Sequence, residues 1–178
     1  REKFKFRFIF DTYDFNQICD IIRFHAVEKH IIFTNKAVRG LAQRSRGILR
    51  VAVRYLEGAR DFAMHLKALV VTSKIVEEFF EISGIDSRGL TTTEIRILRT
   101  LYANREPIGV DNLAIISNES KKNILNTIEP FLIQQGLIVR SGRGRIITDA
   151  GRSHLENDGY LSGKLRQRIE IPGDYVRK

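Results

Sequence analysis

Apolar residues recur at three- and four-residue steps along most of this chain, a period that predicts a mainly helical protein. Asp14 can cap a helix running to about Glu28, with Phe15, Ile18, Cys19, Ile22 and Ala26 on one face. Thr34 or Asn35 can cap a second helix carrying Ala37, Val38, Leu41 and Ala42, which Gly47 breaks. The clearest periodicity follows: Ile48, Val51, Ala52, Tyr55, Leu56, Ala59, Phe62, Ala63 and Leu66 predict a third helix. A shorter helix near Thr72–Phe80 closes an all-helical unit, and Gly84–Gly89 reads as a linker of glycines and serines.

A second unit starts beyond that linker. Thr92 or Thr93 opens a helix with Ile95, Leu98, Leu101 and Tyr102 inward. Pro107 and Gly109 mark a turn, and Val110–Ile116 forms a short helix. Asn118 or Ser120 can cap the next helix, which runs to about Gln135 and stops at Gly136. Pro130 within it should kink the helix and free one carbonyl. Leu137–Arg140 and Arg145–Thr148 then read as two short strands around the turn Ser141-Gly142-Arg143-Gly144. Asp149–Glu156 is a final helix. Helix, short helix, helix and β-hairpin follow the winged-helix order. The expected fold is mainly α: a helical domain over residues 1–83, a winged helix over 84–158 and a basic tail over 159–178.

Composition sharpens this picture. Apolar residues make up 43% of the chain, enough to bury a core in each unit. The formal charge of +9 and a pI near 9.9 favour polyanionic partners, because releasing counterions from phosphates drives binding. The single cysteine, Cys19, excludes an internal disulfide and fits a reducing compartment; a cytoplasmic location is expected. His25, His30, His65 and His154 lack metal-ligand spacing and read as ordinary surface or edge residues, so no metal site is expected. Apolar runs such as Ala68–Thr72 are far too short to span a bilayer. No signal peptide is expected at the start, which lacks Met and alternates charge with phenylalanine; the chain reads as beginning inside a larger protein.

Candidate chemistry concentrates on cations. Arg140, Arg143 and Arg145 crowd a tight hairpin whose guanidinium forks suit phosphate oxygens. A solvated turn would also carry arginines, but the preceding helix fits a DNA contact as well. There Lys121, Lys122, Asn123 and Asn126 point away from the apolar face. Lys121 in the first turn opposes the helix dipole, a small cost that a phosphate would reverse. In the first unit Arg46, Arg50 and Arg54 recur at helical spacing. Ion pairing with Glu57 and Asp61 is the favoured reading of that stripe, ahead of a nucleotide phosphate held by another domain. The chain has no phosphate loop, no Asp-Glu magnesium motif and no nucleophile-base set, so it should not hydrolyse ATP alone.

Two segments carry a family resemblance. Glu129-Pro130-Phe131-Leu132-Ile133-Gln134-Gln135-Gly136-Leu137, followed by Arg140-Ser141-Gly142-Arg143-Gly144-Arg145, resembles the E-P-Y-L-I-Q-Q-G-F and R-T-P-R-G-R segments of RuvB-type Holliday-junction motors. Ala42-Gln43-Arg44-Ser45-Arg46-Gly47-Ile48-Leu49-Arg50-Val51-Ala52, with Arg60-Asp61-Phe62-Ala63 beyond, is similar to A-R-R-S-R-G-T-P-R-I-A and R-D-[YF]-A. Gly109-Val110-Asp111-Asn112-Leu113-Ala114 resembles G-L-D-N-L-A.

The resemblance implies an AAA+ lid followed by a DNA-gripping winged helix, with residues 1–8 closing a large domain that precedes the chain. It implies a branch-migration ATPase acting in recombination and repair, with ATP or ADP and magnesium in the full-length protein and none tightly bound to this fragment. By the same resemblance Arg50 matches a sensor arginine that reaches ATP, and Tyr13 lies near the adenine. Lys121, Arg140 and Arg145 match DNA contacts, and Arg143 belongs to the same wing. The expected partners are duplex or four-way junction DNA. A homo-hexamer and a RuvA-type partner are expected of the full-length protein, and a monomer of this portion alone. This chain departs from the pattern at Ile48, Leu49 and Val53, where the family has threonine, proline and asparagine. Lys3 stands at the arginine-finger position, the one catalytic candidate, and lysine is a poor substitute for a planar fork there. The competing expectation is a stand-alone winged-helix transcriptional regulator with a helical partner-binding domain.

Overall fold

The computed structural model describes residues 13–104 and 106–157. Lys3, the 1–8 segment and the basic tail lie outside the described residues. The chain divides into two compact units after Gly89.

The first unit comprises α1 (Phe15–Glu28), β1 (Ile32–Phe33), α2 (Asn35–Arg44), α3 (Leu49–His65), β2 (Val70–Val71) and α4 (Ser73–Ser83). Its core joins Ile18 and Ile22 of α1, Leu41 of α2, Leu56 of α3 and Phe80 of α4, all almost fully buried. The caps form where side-chain chemistry allows. Asp14 accepts from the Gln17 amide at 2.8 Å while Gln17 accepts from the Asp14 amide at 3.0 Å, closing a capping box. Thr34 and Thr72 cap α2 and α4.

Both α1 and α3 end in a left-handed residue, His30 at φ 54° and Lys67 at φ 55°. The amides of Ile31 and Ala68 then donate back to the Ala26 and Ala63 carbonyls, each at 2.9 Å. These matched turns send the chain into β1 and β2, which pair in parallel with Phe33 opposite Val71. Three apolar positions depart from expectation. Ile48 and Leu66 flank α3 rather than belonging to it, and both are exposed. Phe15 is exposed too, with the Arg39 guanidinium 4.8 Å above its ring.

Arg44, three residues after Leu41 and seven after Ala37, falls at the edge of the apolar face of α2 and is buried there. Its Nη1 and Nη2 donate to Glu77 at 3.0 and 2.6 Å, its Nε donates to the Asp86 carbonyl at 2.8 Å, and it lies 4.6 Å over the Phe80 ring. Arg46, at φ 61°, donates to the Gly89 carbonyl. Gly89 itself sits at φ 80°, and a Cβ there would come within 2.6 Å of the Arg44 carbonyl oxygen. The segment expected to open the second unit is therefore fastened to the first.

The second unit comprises α5 (Thr92–Ala103), α6 (Val110–Ser117), α7 (Lys121–Asn123), α8 (Glu129–Gln134), β3 (Ile138–Ser141), β4 (Gly144–Ile147) and α9 (Asp149–Asn157). Leu98, Leu101, Leu113, Ile124, Leu132, Leu137 and Leu155 fill its core. Thr91, one residue before the expected caps, closes a capping box with Glu94. Ser120 caps α7, whereas Asn118 ends α6 in a left-handed turn.

Helices α7 and α8 are continuous through a π turn over Ile124–Ile128, in which the Glu129 amide donates to Ile124 rather than one residue closer. Pro130 explains this widening. Its nitrogen cannot donate and its ring would strike the carbonyl four residues back, so the helix loosens by one residue just before it. The expected kink is thus a local change of helical pitch.

Strands β3 and β4 pair antiparallel, with Arg140 opposite Arg145 and Ser141 opposite Gly144. Ile108 adds a third edge, exchanging both backbone hydrogen bonds with Arg145 at 3.0 and 2.9 Å. Flanked by Pro107 and Gly109, this one-residue bridge leaves no alternation to read, and it falls where only a turn is expected. The fold class is as the sequence implies: mainly helical, a lid-like helical unit and then a winged helix.

Candidate nucleic-acid interface

In the winged helix, α6 and the helix over 121–134 form the helix-turn-helix, and the hairpin forms the wing. Lys121, Lys122 and Asn126 are exposed on the recognition helix. Lys121 is ion-paired, with its Nζ 2.7 Å from Asp111 Oδ1. Among the described residues Lys122 meets no carboxylate. At the wing tip, Gly142 and Arg143 form the two-residue turn and both are exposed; the Ser141 hydroxyl accepts from the Arg143 amide at 3.3 Å.

The three wing arginines do not share one environment. Arg140 is 65% exposed, with Nε 3.8 Å from Glu129 Oε1. Arg145 is buried, and its Nε and Nη2 both donate to Glu129 Oε2 at 3.0 and 2.6 Å. Cross-strand partners project from the same face of a hairpin. Arg140 and Arg145 therefore both face α8, and Arg145, on the strand flanked by β3 and Ile108, is the one covered. The expectation that Arg145 contacts DNA is corrected on this ground: its guanidinium is already bound to a buried carboxylate. Glu129 enters the sequence reading only as part of the Glu129–Leu137 segment; an acid beside a proline on an apolar helix face is the signal of its burial.

In the first unit, the structure brings Tyr13 and the start of α3 together. The Tyr13 amide donates to the Gly47 carbonyl at 3.2 Å, three residues before Arg50, and its side chain is exposed. An open groove of about 620 Å³ is lined there by Ile48, Leu49, Arg50, Val53, Arg54 and Glu57. The expected arginine stripe is not a stripe: Arg46 lies before the helix and is turned to Gly89. The acids expected to neutralise it are engaged elsewhere, Glu57 with Lys29 at 2.7 Å and Asp61 with Arg60 at 2.6 Å. Arg50 remains exposed and, among the described residues, pairs with no carboxylate. His154, expected at the surface, is buried in α9.

This architecture defines a winged-helix protein with a separate helical domain ahead of it. Known proteins narrow the class further. The family model of the RuvB AAA lid domain matches residues 13–86, and that of the RuvB C-terminal winged helix domain matches residues 87–156. The chain belongs to the RuvB family, as its lid and C-terminal winged helix. It is 32% identical over 160 residues to the Holliday junction branch migration complex subunit RuvB of Ehrlichia ruminantium (strain Gardel), covering 90% of this chain and 48% of that protein. It is 33% identical over 166 residues to RuvB of Tropheryma whipplei (strain TW08/27), covering 92% and 48%. The Thermotoga maritima RuvB Holliday junction branch migration motor superposes with a TM-score of 0.75 at 31% identity, over 83% of this chain and 50% of that one. The chain spans about half the length of the relatives it matches.

Proposed function

We propose that this chain is the C-terminal part of an ATP-dependent DNA motor for Holliday junction branch migration, in which the winged helix grips the duplex backbone. The observation that carries this reading is the set of exposed cations on one winged helix: Lys121 and Lys122 on the recognition helix, and Arg140 and Arg143 on the wing. Asn126 on the same helix adds an uncharged polar contact. Backbone contacts of this kind position a duplex without reading its sequence.

The lid residues fit half of a nucleotide site. Arg50, paired with no carboxylate among the described residues, offers a cation for a phosphate; Ile48, Leu49 and Val53 line a groove beside it that offers apolar surface, and Tyr13 would approach a base from the chain segment bonded to Gly47. ATP with magnesium would supply the phosphoryl-transfer energy, held mainly by a large domain that in this reading precedes the chain and builds the hexameric ring and any RuvA contact. Lys3 would sit at the arginine-finger position. This portion alone is then a monomer without ATPase activity, working in the cytoplasm.

Titration of fluorescent duplex and four-way junction DNA at two salt concentrations tests the proposal. Weak binding, indifferent to sequence and falling steeply with salt, is expected. Tight sequence-specific binding that survives high salt would overturn it and favour a regulator.

A further inference from the structure

We infer that Asp111 limits the strength of this grip by competing with DNA phosphate for Lys121, an inference that rests on the duplex-binding reading above. The two residues occupy the first turns of consecutive helices, α6 and α7. An acid is favoured in a first turn and a base is disfavoured there, so Asp111 is held where it stands while Lys121 is drawn toward it. Their 2.7 Å contact is open to solvent, with side chains 73% and 53% exposed. In helix-turn-helix docking the recognition helix enters the groove by its N-terminal end while the helix before it crosses the backbone. In that docking Lys121 stands at the groove, within reach of its flanking phosphates, and Asp111 stands 2.7 Å from it.

Asp111 is thus a fixed negative charge within the basic footprint. A phosphate approaching Lys121 must displace or share that carboxylate, and it meets like-charge repulsion while doing so. The other candidate cations differ. Among the described residues Lys122 and Arg143 face no carboxylate, and the one near Arg140 is buried and already neutralised by Arg145. Among the described residues, Asp111 is the exposed carboxylate paired with one of these cations, and so the one that can exchange partners. The consequence suits a protein that must move along its track: one contact re-forms inside the protein each time the duplex is released, which favours dissociation over a static hold.

The experiment uses the 178-residue chain and a fluorescein-labelled duplex of mixed sequence, read by anisotropy between about 50 and 200 mM salt. Asp111→Asn is compared with wild type, with Lys121→Gln, with the double variant, and with Asp149→Asn, an exposed acid in the first turn of α9. Asp111→Asn should tighten binding about two- to fivefold, the scale of one exposed ion pair. The gain should vanish in the Lys121→Gln background, and Asp149→Asn should give clearly less. An equal gain without Lys121, or with Asp149→Asn, would reduce the effect to net charge and sink the inference. Unchanged or weaker binding by Asp111→Asn would sink it too, by making Asp111 a support for Lys121. If wild type shows no salt-dependent binding, the duplex-binding reading falls and the inference with it. Asp111→Ser carries the same comparison should the asparagine variant unfold.

Discussion

Arg145 and Glu129 lock the wing to the recognition helix from inside the domain, with both side chains about 5% exposed and two guanidinium nitrogens on one carboxylate oxygen. Removing one partner of such a pair strands the other charge, a larger loss than the pair's net worth. Glu129→Gln should therefore cost about 3 kcal/mol in urea unfolding followed by circular dichroism. Replacing both residues by methionine should recover most of that loss, because neither charge is then left buried. A Glu129→Gln protein as stable as wild type would show that the pair is not a strut.

The same geometry separates the wing arginines in their effect on DNA. Arg143→Ala should weaken duplex binding and lower the salt slope by about one, with stability within about 0.5 kcal/mol of wild type. Arg145→Ala should lose stability first, and lose affinity only as the wing loosens. A large drop in affinity from Arg145→Ala at full stability would restore its role as a direct contact.

In the lid, Glu57 accepts from Lys29 Nζ at 2.7 Å, and that hydrogen bond, with the ammonium charge behind it, holds the carboxyl below the usual carboxylate range. A lowered folded-state pKa adds stability above the unfolded value, and this is lost as pH falls through the folded one. The melting temperatures of wild type and Glu57→Gln should differ slightly at neutral pH and converge in acid. A gap that persists in acid would assign the effect to packing.

Burial pushes the Cys19 thiol up, and the nearby charges of Arg23 and Arg39 only partly offset this. The thiol is held protonated inside the lid core. Its reaction with a disulfide reagent at mildly alkaline pH should be far slower than that of a free thiol, and should speed up in urea together with the loss of helicity. Rapid labelling under native conditions would mean that α1 opens without unfolding the lid.

The helices were legible because each buries an apolar stripe and most begin at Asp, Ser or Thr, and the wing because glycines punctuate two β-branched runs. What the sequence hid were polar groups turned inward. Arg44 and Arg145 share the buried faces of Leu41 and Ile147 by spacing but read as surface by their charge, and only tertiary structure supplies Glu77 and Glu129 as their partners. Segment 84–89 reads as a linker by composition, yet two arginines from forty residues earlier hold its backbone. The Lys121–Asp111 contact was equally hidden, since the two residues are near in space but belong to different helices.

The wing turn contains two glycines with opposite demands, and they make a matched pair for substitution. A Cβ on Gly142 would meet nothing within 4 Å. A Cβ on Gly144, at φ 151°, would come within 2.4 Å of the Ile108 carbonyl oxygen, which accepts from the Arg145 amide at 2.9 Å. Backbone cannot give way there without parting the third strand, and the dihedral is one that L side chains rarely adopt. Gly144→Ala should cost about 2–3 kcal/mol in urea unfolding, whereas Gly142→Ala should stay within about 0.5 kcal/mol of wild type. The loss should reach DNA binding as well, because Ile108, Arg145 and Glu129 form one connected support beneath Arg143. Equal stability of the two variants would mean that the Ile108 bridge does not hold the wing.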